Sequence, residues 1–131
     1  MKHEYALGTA ELSPAIAASP DFSGRWRNQM GSFMDLVVAD DIVSGTYNSA
    51  NSAGGPPVTG AIKGSVIDDL ITFSVTWQRS GSITAWTGQL VQDGAAPKIR
   101  TLWHLVTNIP DGDEPTKLWM STYAGADEFL R

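Results

Sequence analysis

Ile71-Thr72-Phe73-Ser74-Val75-Thr76-Trp77 decides the fold of this chain, because apolar side chains occupy every odd position and hydroxyl groups every even one. Successive side chains of a β-strand point to opposite faces, so a period of two predicts a strand with one buried face. Residues 98–107 repeat this period, with Ile99 and Trp103 on one face. The second face of that strand is only half polar, which indicates a contact.

Turn-forming residues recur about every ten positions from Gly24 onward, and short candidate strands lie between them. Eight strands without a helical period between them favour an all-β fold, an eight-stranded antiparallel up-and-down β-barrel. A β-sandwich is the main alternative. A barrel of this size either holds one small ligand or is filled by side chains. The turn signals are Gly31-Ser32, Asp40-Asp41, residues 49–57, Asp68-Asp69, Ser80-Gly81, Asp93-Gly94 and residues 108–115.

The chain is expected to form one domain, because 131 residues suffice for a single hydrophobic core. Residues 1–22 are rich in Ala, Ser, Pro and Glu without a sustained period. They are predicted to form a loose N-terminal arm, with at most a marginal helix over residues 4–12. The barrel domain is predicted to occupy residues 23–131.

Composition excludes several classes of partner and site. The 14 acidic and 9 basic residues give a net charge of −5, and no basic cluster could neutralise a run of phosphates. Nucleic acid and membranes are therefore not expected as partners. Cysteine is absent, which removes disulfides, thiolate metal sites and cysteine nucleophiles. No metal or cofactor is expected.

The start of the chain has no visible secretory signal, because Glu4 and Glu11 interrupt the apolar stretch that a signal peptide needs. We expect the protein to be secreted or periplasmic after removal of a signal. A cytosolic location is the alternative.

Polar side chains share predicted strand faces with aromatic ones. An inward polar group without a partner costs about 1 to 3 kcal/mol, so this pattern predicts a ligand cavity rather than a plain core. Taken singly, each residue has a simpler interpretation as a core aromatic, a turn residue or, for Asp127, a solvated carboxylate. The sets that share a face are Trp26, Asn28, Met30 and Ser32; Tyr47 and Ser49; and Ser82, Thr84 and Trp86.

Several motifs occur from Gly24 to the end of the chain in an order and spacing that together are specific. They are Gly24-Arg25-Trp26-Arg27-Asn28-Gln29-Met30-Gly31-Ser32, Gly45-Thr46-Tyr47-Asn48-Ser49, Val58-Thr59-Gly60, Thr84-Ala85-Trp86-Thr87-Gly88-Gln89, Trp103-His104-Leu105 and Trp119-Met120-Ser121-Thr122-Tyr123-Ala124-Gly125-Ala126-Asp127-Glu128-Phe129. The first resembles G-x-W-x-N-[QE]-x-G-S and the second G-x-Y-x-S. With these motifs the chain resembles the avidin and streptavidin family of biotin-binding proteins.

The resemblance implies non-catalytic, high-affinity binding of biotin in the open end of the barrel. Asn28, Ser32 and Tyr47 would donate to the ureido oxygen of biotin, and Ser49 and Asp127 would accept from its two N–H groups. The other implied contacts are Asn51 and Ala53 in a covering loop, Trp77, Trp86 and Trp103 as aromatic walls, Thr84 at the thioether, Ser82 at the carboxylate, and Trp119.

Trp119 carries the implication about assembly, because in the family a neighbouring subunit contributes this tryptophan to close the pocket. The expected partners are therefore biotin or biotinylated molecules and further copies of the chain. A homotetramer is favoured, with a dimer or a higher assembly as alternatives. Sequestration of the vitamin is the biological role that the resemblance implies.

Two other classes of function stay open from the residues alone. One is a lipocalin-like or carbohydrate-binding barrel for another small ligand, with tryptophans as stacking platforms. The other is an enzyme, for which the candidate catalytic residues are carboxylates in turns and His104. The alternation of side chains along the strand predicts that His104 faces outward. Residues 111–114 lack the ligand spacing of a calcium loop and are interpreted as a hairpin tip.

Overall fold

A computed structural model describes residues 1–10, 21–50, 55–94 and 96–131 of the protein. A short exposed helix, α1 (His3–Thr9), precedes the strands. The strands are β1 (Gly24–Asn28), β2 (Phe33–Ala39), β3 (Ile42–Ser49), β4 (Val58–Ile67), β5 (Leu70–Trp77), β6 (Ser82–Asp93), β7 (Ala96–Thr107) and β8 (Thr122–Leu130). Between β7 and β8 lie two 3-10 turns (Asp111–Asp113 and Leu118–Ser121) and a one-turn helix, α2 (Glu114–Lys117).

The eight strands form a closed antiparallel barrel in which each strand pairs with the next along the chain. The last strand closes the sheet on the first, with Arg27 opposite Leu130 and Asn28 opposite Phe129. The seam between these two strands consists of two residue pairs. The prediction of an eight-stranded up-and-down barrel is therefore confirmed.

Tight hairpins connect strands at the end of the barrel where β2 passes into β3 and β4 into β5. Asp40 and Asp41 both have positive φ, 51° and 62°, as a two-residue type I′ turn requires. Aspartate tolerates this left-handed conformation better than most residues do. The turn signals at Asp40-Asp41 and Asp68-Asp69 thus correspond to real hairpins.

The barrel interior is filled by the alternating apolar residues that the sequence pattern identified. Ile71, Phe73 and Val75 of β5 are buried, while the hydroxyl residues between them are exposed or partly exposed. Trp26 is fully buried and its indole N–H donates to the carbonyl of Phe22 at 2.9 Å. Phe22, the last residue of the predicted arm, is itself only 1% exposed and belongs to the core.

The prediction that Trp26, Asn28, Met30 and Ser32 all face the interior is wrong for Met30. Strand β1 ends at Asn28, and the chain turns before β2 begins, so the alternation of a strand no longer applies. Met30 lies in that turn with 63% of its surface exposed.

The connection between β7 and β8 also differs from its interpretation as a hairpin tip. Residues 111–121 form consecutive helical turns, and Pro115 lies in the first turn of α2, where its missing N–H is not needed. On the outer face of β7, Leu102 is 71% exposed and His104 is also exposed. No helix among the described residues is long and apolar enough to span a membrane.

Gly64 in β4 lies so close to β5 that a Cβ at this position would overlap the backbone oxygen of Thr72. Gly64→Ala is expected to lower the free energy of unfolding by about 1 to 2 kcal/mol, since β4 and β5 would have to move apart. Urea unfolding measures this change. Ser65→Ala, at an exposed position beside it, is the control, and equal midpoints for the two variants would contradict the expected clash.

Candidate ligand-binding site

A cavity of about 1000 Å³ opens at the end of the barrel opposite the aspartate hairpins. Aromatic side chains and short polar ones line it together, as the shared strand faces predicted. Of the residues that the sequence identified, those lining the cavity are Tyr47, Ser49, Trp77, Ser82, Thr84, Trp86, Trp103 and Asp127.

Asn28 adjoins the cavity through a fixed side-chain amide. Its Oδ1 accepts hydrogen bonds from the backbone N–H groups of Met30 and Ser32, both at 3.0 Å. Because the turn occupies the oxygen, the Nδ2 group must point the other way, and it donates to the Tyr47 hydroxyl at 3.3 Å. The turn between β1 and β2 therefore presents Asn28 to the site as a donor.

Ser32 and Tyr47 are both buried next to this amide. The Ser32 Oγ accepts from the backbone N–H of Ala50 at 3.0 Å. The Tyr47 ring stacks on Trp86 with centroids 4.9 Å apart. Burial raises the pKa of the Tyr47 phenol, the negative charge of Asp127 raises it further, and a hydrogen bond with Ser32 opposes the shift. Tyr47 therefore keeps its proton well into the alkaline range.

The raised pKa of Tyr47 predicts an alkaline loss of stability. Above pH 10, the ordinary value for this phenol, the unfolded chain releases the Tyr47 proton while the folded chain retains it, so the free energy of unfolding falls. Tyr47→Phe removes this contribution. Urea unfolding between about pH 9 and 11 should then show a flatter decline for Tyr47→Phe than for the wild type, and equal slopes would contradict the shift.

Asp127 is held at the cavity by two donors. The Trp86 indole N–H donates to its Oδ2 at 3.0 Å, and the Gln29 side-chain amide donates to its Oδ1 at 3.1 Å. The backbone N–H of Glu128 in turn donates to the Gln29 Oε1 at 3.3 Å. Gln29 is a residue that the sequence analysis missed, although it lies within the first quoted motif.

The aromatic walls are fixed from behind by specific contacts. The Trp77 indole N–H donates to the Thr84 hydroxyl oxygen at 2.9 Å. Trp103 lies across Gly125, where a Cβ would come within 2.5 Å of the indole ring. Trp86 is stacked between Tyr47 and Phe73, with 4.9 Å between centroids on each side. These contacts hold three indoles in place around the cavity.

Of the remaining residues that the sequence identified, Ser82 lines the cavity and Trp119 does not, and two belong to the predicted covering loop. The Ser82 hydroxyl lies 2.6 Å from the hydroxyl of Ser80, a cavity residue that the sequence analysis did not identify. Trp119 does not line this cavity and is 78% exposed on the single chain. Asn51 and Ala53 lie outside the described residues.

Comparison with known proteins accounts for this combination of barrel and cavity. The sequence profile of the Avidin family matches residues 17–131. The chain belongs to the avidin family. Avidin from Gallus gallus is 28% identical over 141 aligned positions, which cover 95% of this chain and 88% of avidin.

Solved structures of avidin-family proteins have the same fold. Xenavidin superposes with a TM-score of 0.75 at 27% identity, over 87% of this chain and 99% of Xenavidin. A rhizavidin–biotin complex superposes with a TM-score of 0.69 at 29% identity, over 88% of this chain and 95% of rhizavidin. Members of the avidin family are non-catalytic binding proteins, which agrees with the prediction that this chain is not an enzyme.

Within the described ranges, no group of three or more His, Asp or Glu side chains is arranged to hold a metal ion. Asp127, a carboxylate that lines the cavity, is bonded to Trp86 and Gln29.

Proposed function

We propose that this protein binds biotin non-covalently in the cavity at the open end of its barrel. The observation that carries the proposal is a positioned carboxylate, Asp127, and the Tyr47 hydroxyl within a cavity walled by tryptophans, with the Asn28 amide bonded to Tyr47. Membership of the avidin family and the likeness to a rhizavidin–biotin complex support the same ligand. Each part of biotin, the ureido ring, the thioether and the carboxylate tail, then has a chemically suitable neighbour.

The ureido oxygen is the part for which Asn28, Ser32 and Tyr47 are suited. The oxygen of Asn28 and that of Ser32 already accept backbone N–H groups. The Asn28 amide has a second N–H besides the one that it donates to Tyr47, and a ligand oxygen can accept from it and from the Ser32 hydroxyl. Tyr47 keeps its proton because burial raises its pKa. Three donors fixed before the ligand arrives stabilise a polarised carbonyl without the cost of reorganising at binding.

The two ureido N–H groups need acceptors, and we assign these roles to Ser49 and Asp127. Each carboxylate oxygen can accept more than one hydrogen bond, so Asp127 can bind a ligand N–H while it remains bonded to Trp86 and Gln29. A hydrogen bond to an ionised group is about twice as strong as a neutral one. Asp127 is therefore expected to contribute the largest polar share of the affinity.

The apolar and tail portions of biotin fit the rest of the cavity. Trp77, Trp86 and Trp103 would enclose the bicyclic ring and exclude water from it. The Thr84 oxygen accepts from Trp77, so its O–H can face the thioether, which is a weak acceptor. Ser82 would bind the tail carboxylate, and Asn51 and Ala53 would belong to the covering loop.

Tryptophan emission provides the test of ligand identity. Stoichiometric biotin should quench or blue-shift the emission, because the cavity indoles lose contact with water. Calorimetry should give one biotin per chain. A spectrum and a heat signal that stay flat on addition of biotin, with a response to sugars or lipids instead, would overturn the proposal.

We also propose that the chain acts as a homo-oligomer, with a tetramer favoured. Leu118, Trp119 and Met120 are three consecutive large apolar residues, with 62%, 78% and 48% of their surfaces exposed on the single chain. A second copy that covered them would bury this surface. Size-exclusion chromatography with light scattering, with and without biotin, measures the assembly, and a monomer in both states would contradict it.

Localisation outside the cytoplasm and sequestration of biotin complete the proposal. We propose both on the ground of the family resemblance. Cell fractionation of the source organism with an antibody against the barrel would test the location, and recovery only in the cytosol would contradict it.

A further inference from the structure

The lining of the cavity includes two positively charged residues in a protein whose net charge is −5. Arg79 and Lys63 both line the cavity. Neither has a salt-bridge partner among the residues that the structure describes. None of the biotin contacts assigned above involves Arg79 or Lys63.

Arg79 lies on the short hairpin that connects β5 to β6. Trp77 and Ser82 pair across the hairpin, and the Ser80 backbone N–H donates to the Trp77 carbonyl at 3.3 Å to close the turn. Gly81, with φ of +60°, completes it. The hairpin therefore places Arg79 three residues before Ser82, the residue assigned to the ligand's carboxylate, at the open end of the barrel.

Lys63 reaches the same cavity from outside the barrel. It alternates along β4 with Ile62, which is buried, so Lys63 belongs to the outer face. Thr76 and Ser74, exposed or partly exposed residues of β5, line the cavity next to it. The cavity thus continues over the lip formed by β4 and β5, and Lys63 lies on the outer side of this lip, away from the buried Ser82.

Negative charge is kept away from this lip. The aspartates of the β2–β3 and β4–β5 hairpins lie at the opposite end of the barrel. The connection between β7 and β8 does carry acids at the open end, but none of them lines the cavity, and Asp113 is paired with Lys117 at 3.6 Å. Asp127, deeper in the cavity, is already engaged by Trp86 and Gln29.

We propose that Arg79 is a specificity-determining residue that selects ligands with a free carboxylate over neutral conjugates at that carboxyl group. This inference rests on the proposed function. A guanidinium offers paired N–H donors that match the two oxygens of a carboxylate. A ligand whose carboxyl group has been converted to an amide presents no charge to it.

Equilibrium binding of biotin and of biotin amide, two ligands with the same ring system, tests the proposal. The wild type should bind the acid more tightly than the amide. Arg79→Gln should weaken acid binding by about threefold to fivefold, as for a solvent-exposed ion pair, and leave amide binding unchanged. Arg79→Lys should keep most of the preference. Lys63→Gln should leave the preference unchanged, because Lys63 lies on the outer side of the lip.

Arg27→Gln is the matched control, because Arg27 lies on the outer face of β1, outside the cavity lining, and its loss changes the net charge equally. It should leave both affinities unchanged. As a second readout, added salt should slow biotin association with the wild type more than with Arg79→Gln.

The outcomes separate this inference from the function on which it rests. An equal loss for acid and amide in Arg79→Gln would assign Arg79 a role in shaping the hairpin and overturn the proposal. Tighter wild-type binding of the amide would also overturn it and assign the lip to conjugated ligands. If the wild type binds neither compound, the proposed function itself fails.

Discussion

Replacing Asp127 by alanine is expected to speed biotin dissociation by at least about 30-fold, which corresponds to about 2 kcal/mol. The variant loses a charged acceptor for a ligand N–H group. It also leaves the indole N–H of Trp86, a residue only 4% exposed, without its 3.0 Å partner. A buried donor without an acceptor adds a desolvation cost, so both the ligand and the empty cavity are affected.

Asp127→Asn removes the negative charge of Asp127 but keeps the shape of its side chain. The amide keeps one acceptor oxygen in a side chain of the same shape, so dissociation should be faster than in the wild type and slower than in Asp127→Ala. Asp40→Asn is the control, because it removes the same charge from an exposed turn where asparagine tolerates the positive φ. Surface plasmon resonance with biotin measures the off-rates. An unchanged off-rate in Asp127→Ala would exclude Asp127 from the site.

The architecture was predictable from sequence because a barrel strand has two environments. Along β5 the alternation of Phe73 and Val75 with hydroxyl residues records the inside and the outside of the sheet directly. The same reasoning gave the wrong position for Met30, because side chains alternate between the two faces only while the chain remains a strand. It also gave no warning of helix α2, whose four residues are too few for a helical period.

The site was predictable to the extent that its residues lie within recognisable motifs. Gln29 shows the limit of local reasoning. Its partner Asp127 is 98 residues away, and the two meet only because β8 closes the barrel against β1. Arg79 was missed for a different reason, since a charged residue in a polar turn looks like a solvated one until the cavity is seen beside it.

Pre-organisation connects the fold to the proposed affinity. The donor groups around the cavity are oriented by backbone contacts that exist without a ligand, as at Asn28, where the turn before β2 occupies the amide oxygen. Binding then requires little ordering of side chains, a cost that otherwise reaches about 0.5 to 1.5 kcal/mol for each one immobilised. Slow dissociation is the expected consequence, and it should be lost wherever one of these backbone contacts is removed.

Trp119→Ala is expected to weaken biotin binding by about 2 to 4 kcal/mol, the range of a tryptophan hot spot at an interface. The circular dichroism of the barrel should not change, because this side chain is 78% exposed on the single chain. Met120→Ala, at a neighbouring exposed apolar residue, is the control for a general loss of apolar surface. Equal affinities for Trp119→Ala and the wild type would contradict a role for Trp119 in binding.

Co-expression of two defective chains decides whether Trp119 acts on its own cavity or on that of a neighbour. A Trp119→Ala chain retains Asp127 but lacks the indole, whereas an Asp127→Ala chain lacks the carboxylate but can supply Trp119. If the residue acts between subunits, mixed oligomers should recover slow-dissociating sites that neither parent possesses, at most one for each Trp119→Ala chain. A chain with both substitutions should rescue nothing. Mixed oligomers without slow sites would place the action of Trp119 within a single chain.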